Sequence, residues 1–147
     1  MRTLWNADDR ASLHARFARL TPETRPAWGS MSASRMLVHV TDGVRSALGE
    51  LDVAPRSGPL AMWPLNNLVM FHLPWPKGAP TAPELLARTP AEWSAELEAL
   101  RTALDRFGTR SLEGTWPRHA AFGHIGGDRW GRLLYRHTDH HLRQFGV

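Results

Sequence analysis

Residues 130–147 read WGRLLYRHTDHHLRQFGV, and their pattern predicts an amphipathic helix. Each residue of a helix advances the direction of projection by about 100°, so residues three and four apart share a face. The predicted buried face consists of Trp130, Leu134, His137, His141 and Phe145. Leu133 and Gln144 lie at its side, whereas Tyr135 and Asp139 are expected to point the opposite way. Two imidazoles, one helical turn apart, therefore lie in a face that should be buried.

This histidine pair predicts a metal site. A buried imidazole costs free energy unless its ring nitrogens find partners, and imidazoles at positions i and i+4 can share one ion. The alternative is a pair of core imidazoles satisfied by hydrogen bonds. Because the chain has no cysteine, the ligands would be nitrogen and oxygen atoms, which suit zinc, nickel, iron or manganese.

The composition predicts one globular domain over residues 1–147. This length allows a sizeable core, and 42% hydrophobic with 22% charged residues is typical of a soluble protein. The N-terminus lacks the apolar run of a secretory signal. The apolar stretch 59–76 is too interrupted by prolines and polar residues to span a bilayer, so we expect a cytoplasmic protein without membrane contact. The arginines are scattered rather than clustered, so nucleic-acid binding is not expected.

Two helices are predicted in the first third of the chain. Asn6 is a candidate N-cap for a helix with a narrow apolar stripe that continues to Leu20. The second helix runs from about Ser32 to Gly49. His39 lies at the border of its apolar stripe, beside small residues on the following turns: Gly43, Ser46 and Ala47. These small residues leave room for a ligand pocket or for close helix packing.

The rest of the chain is predicted to hold a long connection and two more long helices. Residues 55–83 are rich in proline and form the connection, with a short helix over about 65–73. The sequence TPAE at 89–92 predicts a capped helix start, and Gly108 its end. Asp128 is a candidate N-cap for the last helix. The predicted fold class is all-α, a four-helix bundle with a long Pro-rich connection between its second and third helices.

Three further residues are candidates for the site from position alone. His39, the only histidine of the second helix, is the best third ligand for a metal held by His137 and His141. Gln144 could orient a ligating imidazole or a bound water as a second-shell group, or make an ordinary interhelical hydrogen bond. His140, at the edge of the histidine face, is the other second-shell candidate.

Two segments resemble a known family. Residues 28–40 (WGSMSASRMLVHV) and 137–144 (HTDHHLRQ) are similar to the DinB-like (DinB/YfiT) superfamily. The sequences PWPKG at 74–78 and HHLRQFG at 140–146 resemble its DUF1569 branch in particular. The resemblance extends over about residues 28–146. It implies a four-helix bundle in which three histidines bind a divalent metal, and these roles fall on His39, His137 and His141.

The resemblance also implies candidate functions. Some members of the superfamily are transferases or isomerases that use thiols such as mycothiol, bacillithiol or glutathione, whereas others have no established activity. The leading hypothesis is a metal-dependent enzyme that acts on a small molecule, either by thiol transfer or by hydrolysis. Without cysteine the thiol must be a diffusible cosubstrate. Its catalytic residues are not identified, because Asp42, the acid nearest to His39, points away from the expected pocket.

Two alternatives remain open at the level of sequence. The protein could bind a metal without turnover, in stress response or sensing, for which a fourth ligand from His72, His119 or His124 would argue. It could also be a bundle whose histidines serve packing alone. A homodimer is plausible for the family, although no sequence patch identifies an interface.

Overall fold

The computed structural model describes residues 1–56, 58–78 and 81–147. This part of the chain is mostly helical, as predicted. Its elements are α1 Ala7–Phe17, α2 Ala33–Leu48, α3 Leu65–Phe71, α4 Trp93–Thr109, β1 Arg118–His119, β2 Gly123–His124 and α5 Gly127–Gln144. Short 3-10 helices cover Pro59–Ala61 and Pro83–Leu86. Among the described segments there is no helix with the length and apolar character that crossing a bilayer would need.

The ends of α2 agree with the sequence pattern. The Ser32 hydroxyl accepts a hydrogen bond from the Arg35 backbone N–H at 3.2 Å and caps the first turn. Gly49 follows the helix in the left-handed region, with φ of 80°, where glycine has no steric penalty. The N-cap of α1 is also as predicted, since the Asn6 side chain accepts from Asp9 N–H at 3.0 Å. However, α1 ends at Phe17 rather than at Leu20, and the chain continues in turns.

The predicted start of α4 is wrong. The helix begins at Trp93, and neither Thr89 nor Glu92 provides a side-chain cap. A tertiary contact explains the difference: the carboxylate of Glu96 accepts from the Ala91 N–H at 2.9 Å and from the Arg88 guanidinium at 2.6 Å. These bonds hold the preceding residues outside the helix.

Gly108 does not end α4 as predicted but lies within it. The guanidinium of Arg10 crosses the helix here, and a Cβ on Gly108 would lie 2.3 Å from Arg10 Cζ. Glycine here leaves room for a side chain from α1, which a Cβ would displace, and does not mark the helix end. The helix continues to Thr109, with Arg110 as C-cap.

Two predictions for α5 are wrong. The helix begins at Gly127 rather than after an Asp128 cap, and Asp128 instead lies in the first turn. Tyr135 is buried, with 5% of its surface exposed, although its predicted direction was toward solvent. The N-terminal segment accounts for this burial, because it packs on that side of α5: the Leu4 N–H donates to Gly131 O at 3.1 Å, and Arg2 donates to the Tyr135 hydroxyl at 2.9 Å.

The core brings the two histidine-bearing helices together. Helix α2 packs against α4 and α5, and α1 packs against the same two helices. The shared apolar core includes Leu13, Phe17, Met36, Val40, Val44, Leu100, Leu104, Phe107, Leu134 and Leu142. A small antiparallel pair, β1 with β2, precedes α5. Strands of two residues carry no readable alternation, which explains why the sequence did not predict them.

Candidate metal centre

The structure brings His39 of α2 together with His137 and His141 of α5. The Nε2 atom of His137 lies 3.0 Å from Nε2 of His39 and 3.2 Å from Nε2 of His141. Candidate ligand atoms of all three residues lie within 4.8 Å of one another. In a tetrahedral zinc site with metal–nitrogen bonds of about 2.0–2.1 Å, neighbouring ligand nitrogens are about 3.3 Å apart. The group could therefore hold a metal ion.

Hydrogen bonds assign the tautomers of two of these imidazoles. Nδ1 of His39 lies 3.4 Å from Leu85 O, and Nδ1 of His141 lies 2.9 Å from Gln144 Oε1. Both partners are oxygen acceptors, so each Nδ1 carries the proton. A neutral imidazole then has its lone pair on Nε2. Both of these Nε2 atoms lie within 3.2 Å of Nε2 of His137, an arrangement that suits a shared metal ion.

Burial keeps the cluster uncharged. Desolvation, with a smaller contribution from nearby His39, lowers the pKa of His141 to about 3. Desolvation also lowers the pKa of His39, and the pKa of His137 lies well below its ordinary value because of burial and the neighbouring imidazoles. Metal ions bind the neutral form, so these side chains are ready for coordination near neutral pH.

Gln144 contacts both His141 and the loop before α2, whereas its role beside a bound metal stays a prediction. Its Oε1 accepts the proton of His141 Nδ1, and its Nε2 donates to Trp28 O at 2.9 Å. Its backbone carbonyl also accepts from Ala27 N–H at 2.7 Å. Gln144 thus fixes the orientation of one imidazole and fastens the loop before α2 to the end of α5. The amide orientation follows from the Trp28 carbonyl, which can only accept.

The other histidines lie outside the cluster. Of the residues described, His140 makes no hydrogen bond to the three, and its ring instead packs near Trp28 and Trp75. Nδ1 of His119 accepts two backbone N–H groups, from Ala121 and Phe122. His72 and His124 are exposed and do not line the cleft beside the cluster. The described residues thus contain no fourth histidine or carboxylate in the group.

A large cleft opens beside the three histidines. Its volume is about 1110 Å³, which is in the upper range for small-molecule sites. His39, His137 and His141 line it together with mostly apolar side chains.

Gly43 is one of the lining residues, and a Cβ there would lie 3.5 Å from the His137 ring. Ser46 also lines the cleft, whereas Ala47 is buried in the core. The small residues on α2 thus serve both the pocket and the packing.

Asp42 is unavailable as a catalytic base. It is 2% exposed, and its Oδ1 accepts from Arg45 at 3.2 Å and from Arg88 at 3.4 Å. Arg88 also pairs with buried Glu96, while its backbone carbonyl accepts from Arg35 at 2.6 Å. This ion-pair network fastens the segment that carries Leu85, and with it the carbonyl that faces His39.

Comparisons with known proteins identify no relative. No family model, no curated protein and no solved structure matches the chain. The functional argument therefore depends on the geometry of the site.

The contact between Gln144 and His141 makes a testable prediction. Gln144→Leu removes the acceptor that holds the His141 proton on Nδ1, and we expect affinity for Zn²⁺ to fall about 10- to 100-fold. Gln144→Glu is the matched control, because it keeps an oxygen acceptor and should retain most of the affinity. Competition with a fluorescent chelator measures both values. An equal affinity for the Leu variant and the wild-type protein would contradict this role.

Proposed function

We propose that the protein is a metal-dependent enzyme of the DinB-like type, with His39, His137 and His141 as its metal ligands. The main observation in support is that the Nε2 atoms of His39 and His141 lie 3.0 and 3.2 Å from Nε2 of His137 at the wall of a large cleft. Three protein ligands leave coordination positions free, which is typical of catalytic rather than structural sites. In this proposal α1, α2, α4 and α5 correspond to the four helices of the bundle.

The chemistry that fits the site best is activation of a small-molecule thiol. A divalent metal supplies a Lewis acid that makes a coordinated thiol or water acidic near neutral pH. The chain contributes no thiol of its own, because it lacks cysteine. The histidines hold the metal, Gln144 orients His141, and the apolar wall of the cleft excludes water from the attacking sulfur.

Hydrolysis is the second candidate, and the surroundings of Asp42 disfavour it. Activation of water is commonly assisted by a carboxylate base, and this acid is engaged by Arg45 and Arg88. A thiol is much more acidic than water before it binds a metal, so thiol activation would depend less on such a base. The size of the cleft also favours an enzyme over a protein that only stores or senses metal.

Cobalt substitution tests the proposal. The Co²⁺-loaded protein should show visible absorption bands that change when glutathione or another small thiol is added, with a new sulfur-to-cobalt band in the near ultraviolet. With Zn²⁺ bound, thiol and 1-chloro-2,4-dinitrobenzene should form a thioether: a C–S bond forms, the C–Cl bond breaks, chloride leaves and the thiol proton passes to solvent.

The outcomes separate the candidate functions. A thiol-dependent spectrum together with turnover that His137→Ala abolishes would support a thiol transferase. Metal binding without any thiol effect, but with ester or amide hydrolysis, would overturn the thiol mechanism in favour of the hydrolase. Metal binding with neither activity would favour the non-catalytic alternative.

A further inference from the structure

Two indole rings stand next to the histidine cluster in the wall of the cleft. The Trp28 ring centroid lies 5.9 Å from that of His140, and the Trp75 ring centroid lies 6.0 Å from the same imidazole. Trp75 is also 6.2 Å from the ring of His137. All four side chains line the cleft. A ligand that reaches the three histidines would therefore lie against an aromatic wall.

The Trp75 indole and the backbone of Trp28 are held in place before any ligand arrives. The Trp75 indole N–H donates to Val69 O at 3.0 Å. The backbone of Trp28 is fastened through its carbonyl to Gln144. An aromatic surface fixed in this way loses little conformational entropy when a ligand binds, which is the advantage of a preorganised site. Because the indole N–H of Trp75 is already bonded to backbone, this ring offers the ligand an apolar surface rather than a hydrogen bond.

Aromatic side chains often attract cationic ligands, but here two cationic side chains of the protein already lie near the indole rings. Lys77 Nζ lies 4.7 Å from the centroid of the Trp28 ring, and Arg136 Cζ lies 5.0 Å from the centroid of Trp75. These distances are within the range of a cation–π interaction. A positively charged ligand would meet two like charges, whereas a neutral aromatic ligand would not.

The charged residues that line the rest of the cleft do not favour an ion. They are two acids and two bases: Asp52, Glu84, Arg56 and Arg118. Glu84 accepts from the Ala54 N–H at 3.1 Å, and the guanidinium of Arg56 donates to Thr81 O at 3.3 Å. Asp52 and Arg118 are exposed. Their charges balance, so the interior of the cleft is left to apolar contacts.

We propose that Trp28 and Trp75 form a binding subsite for a planar aromatic substrate that carries no positive charge, and whose reacting end faces the three histidines. The inference rests on the proposed function only in placing the reacting end of the substrate toward the three histidines. Binding of the aromatic body depends on the indoles and does not require a metal. The two proposals can therefore fail separately.

A neutral fluorescent probe, N-phenyl-1-naphthylamine, tests the subsite in the full-length protein. We expect it to bind at one site, both with EDTA and with Zn²⁺. Trp28→Leu and Trp75→Leu should each weaken binding by about tenfold, because stacking on a rigid ring contributes beyond the buried area. Trp63→Leu is the matched control, since Trp63 is 77% exposed and does not line the cleft; it should bind the probe like the wild-type protein.

Competition on the wild-type protein gives a second readout that does not depend on any variant folding. At pH 8 the neutral compound quinoline should displace the probe at least about tenfold better than N-methylquinolinium, which has nearly the same shape but a positive charge. Equal displacement by the two compounds, or equal loss of binding in all three tryptophan variants, would overturn the subsite. Probe binding in a protein that takes up no metal would overturn the proposed function and leave the subsite supported.

Discussion

Replacing His137 by alanine is expected to abolish specific metal binding. Nε2 of His137 is the atom that the other two imidazoles share, at 3.0 Å from His39 and 3.2 Å from His141. The remaining two histidines, His39 and His141, lie on different helices and would lack the ligand between them. Removing a group that only hydrogen-bonds to a metal ligand typically lowers metal affinity about 10- to 100-fold. Loss of a ligand itself should therefore lower the affinity at least about 100-fold. Chelator competition with Zn²⁺ measures the dissociation constant, and elemental analysis gives the stoichiometry.

His140→Ala is the control for this prediction, because His140 is also a histidine on α5 that lines the cleft. Its ring faces Trp28 and Trp75 and lies outside the three-histidine group. The wild-type protein and His140→Ala should each bind about one equivalent of metal with similar affinity. If His140→Ala loses as much affinity as His137→Ala, the ligand set is wrong. If His137→Ala still binds one equivalent tightly, the metal site is not at this cluster.

The histidine cluster was accessible from sequence because it depends on local periodicity. The spacing of His137 and His141 places both on the apolar face of one helix, whatever the rest of the chain does. Local periodicity could not predict that His39 lies beside this pair, because no local rule says which helices pack together. Position alone made His39 a candidate, the resemblance gave the stronger reason to join it to the pair, and the structure places the three rings side by side. Their assignment as metal ligands stays a prediction.

Tertiary contacts explain what the sequence could not predict. The start of α4 depends on Glu96 and Arg88, eight residues apart, and a local capping rule cannot include this pair. Tyr135 is buried because the N-terminal segment returns to cover α5. Likewise, Trp75 lies in a connection without periodicity, so nothing local places its ring beside His137. In each case the deciding contact joins residues that are more than two helical turns apart in the chain, which is beyond the reach of local sequence patterns.

His119 makes the stability of the metal-free protein depend on pH. Its Nδ1 accepts the N–H groups of Ala121 and Phe122, both at 3.1 Å, and its ring stacks on Phe122 with centroids 4.8 Å apart. Burial lowers the pKa of His119 to about 4 from its ordinary value of 6.5. Protonation would also turn the accepting nitrogen into a donor that faces two other donors.

The direction of the effect follows from proton binding. Between pH 6.5 and about 4 the unfolded state binds the His119 proton and the folded state does not, so the free energy of unfolding falls as the pH falls through this range. The stabilisation is complete above pH 6.5, and no more is lost below about pH 4. At about 1.36 kcal/mol per pKa unit, the largest loss from this one residue is about 3 kcal/mol.

Two variants isolate this contribution from that of the other histidines. His119→Asn keeps an acceptor oxygen in the position of Nδ1 but does not titrate, whereas His119→Ala removes the acceptor at every pH. In urea unfolding with EDTA, the advantage of the wild-type protein over His119→Asn should shrink by up to about 3 kcal/mol from pH 7.5 to 4. The gap between the two variants should stay constant, because neither side chain binds a proton. If the wild-type protein and His119→Asn lose stability in parallel, the turn between β1 and β2 does not hold a neutral imidazole.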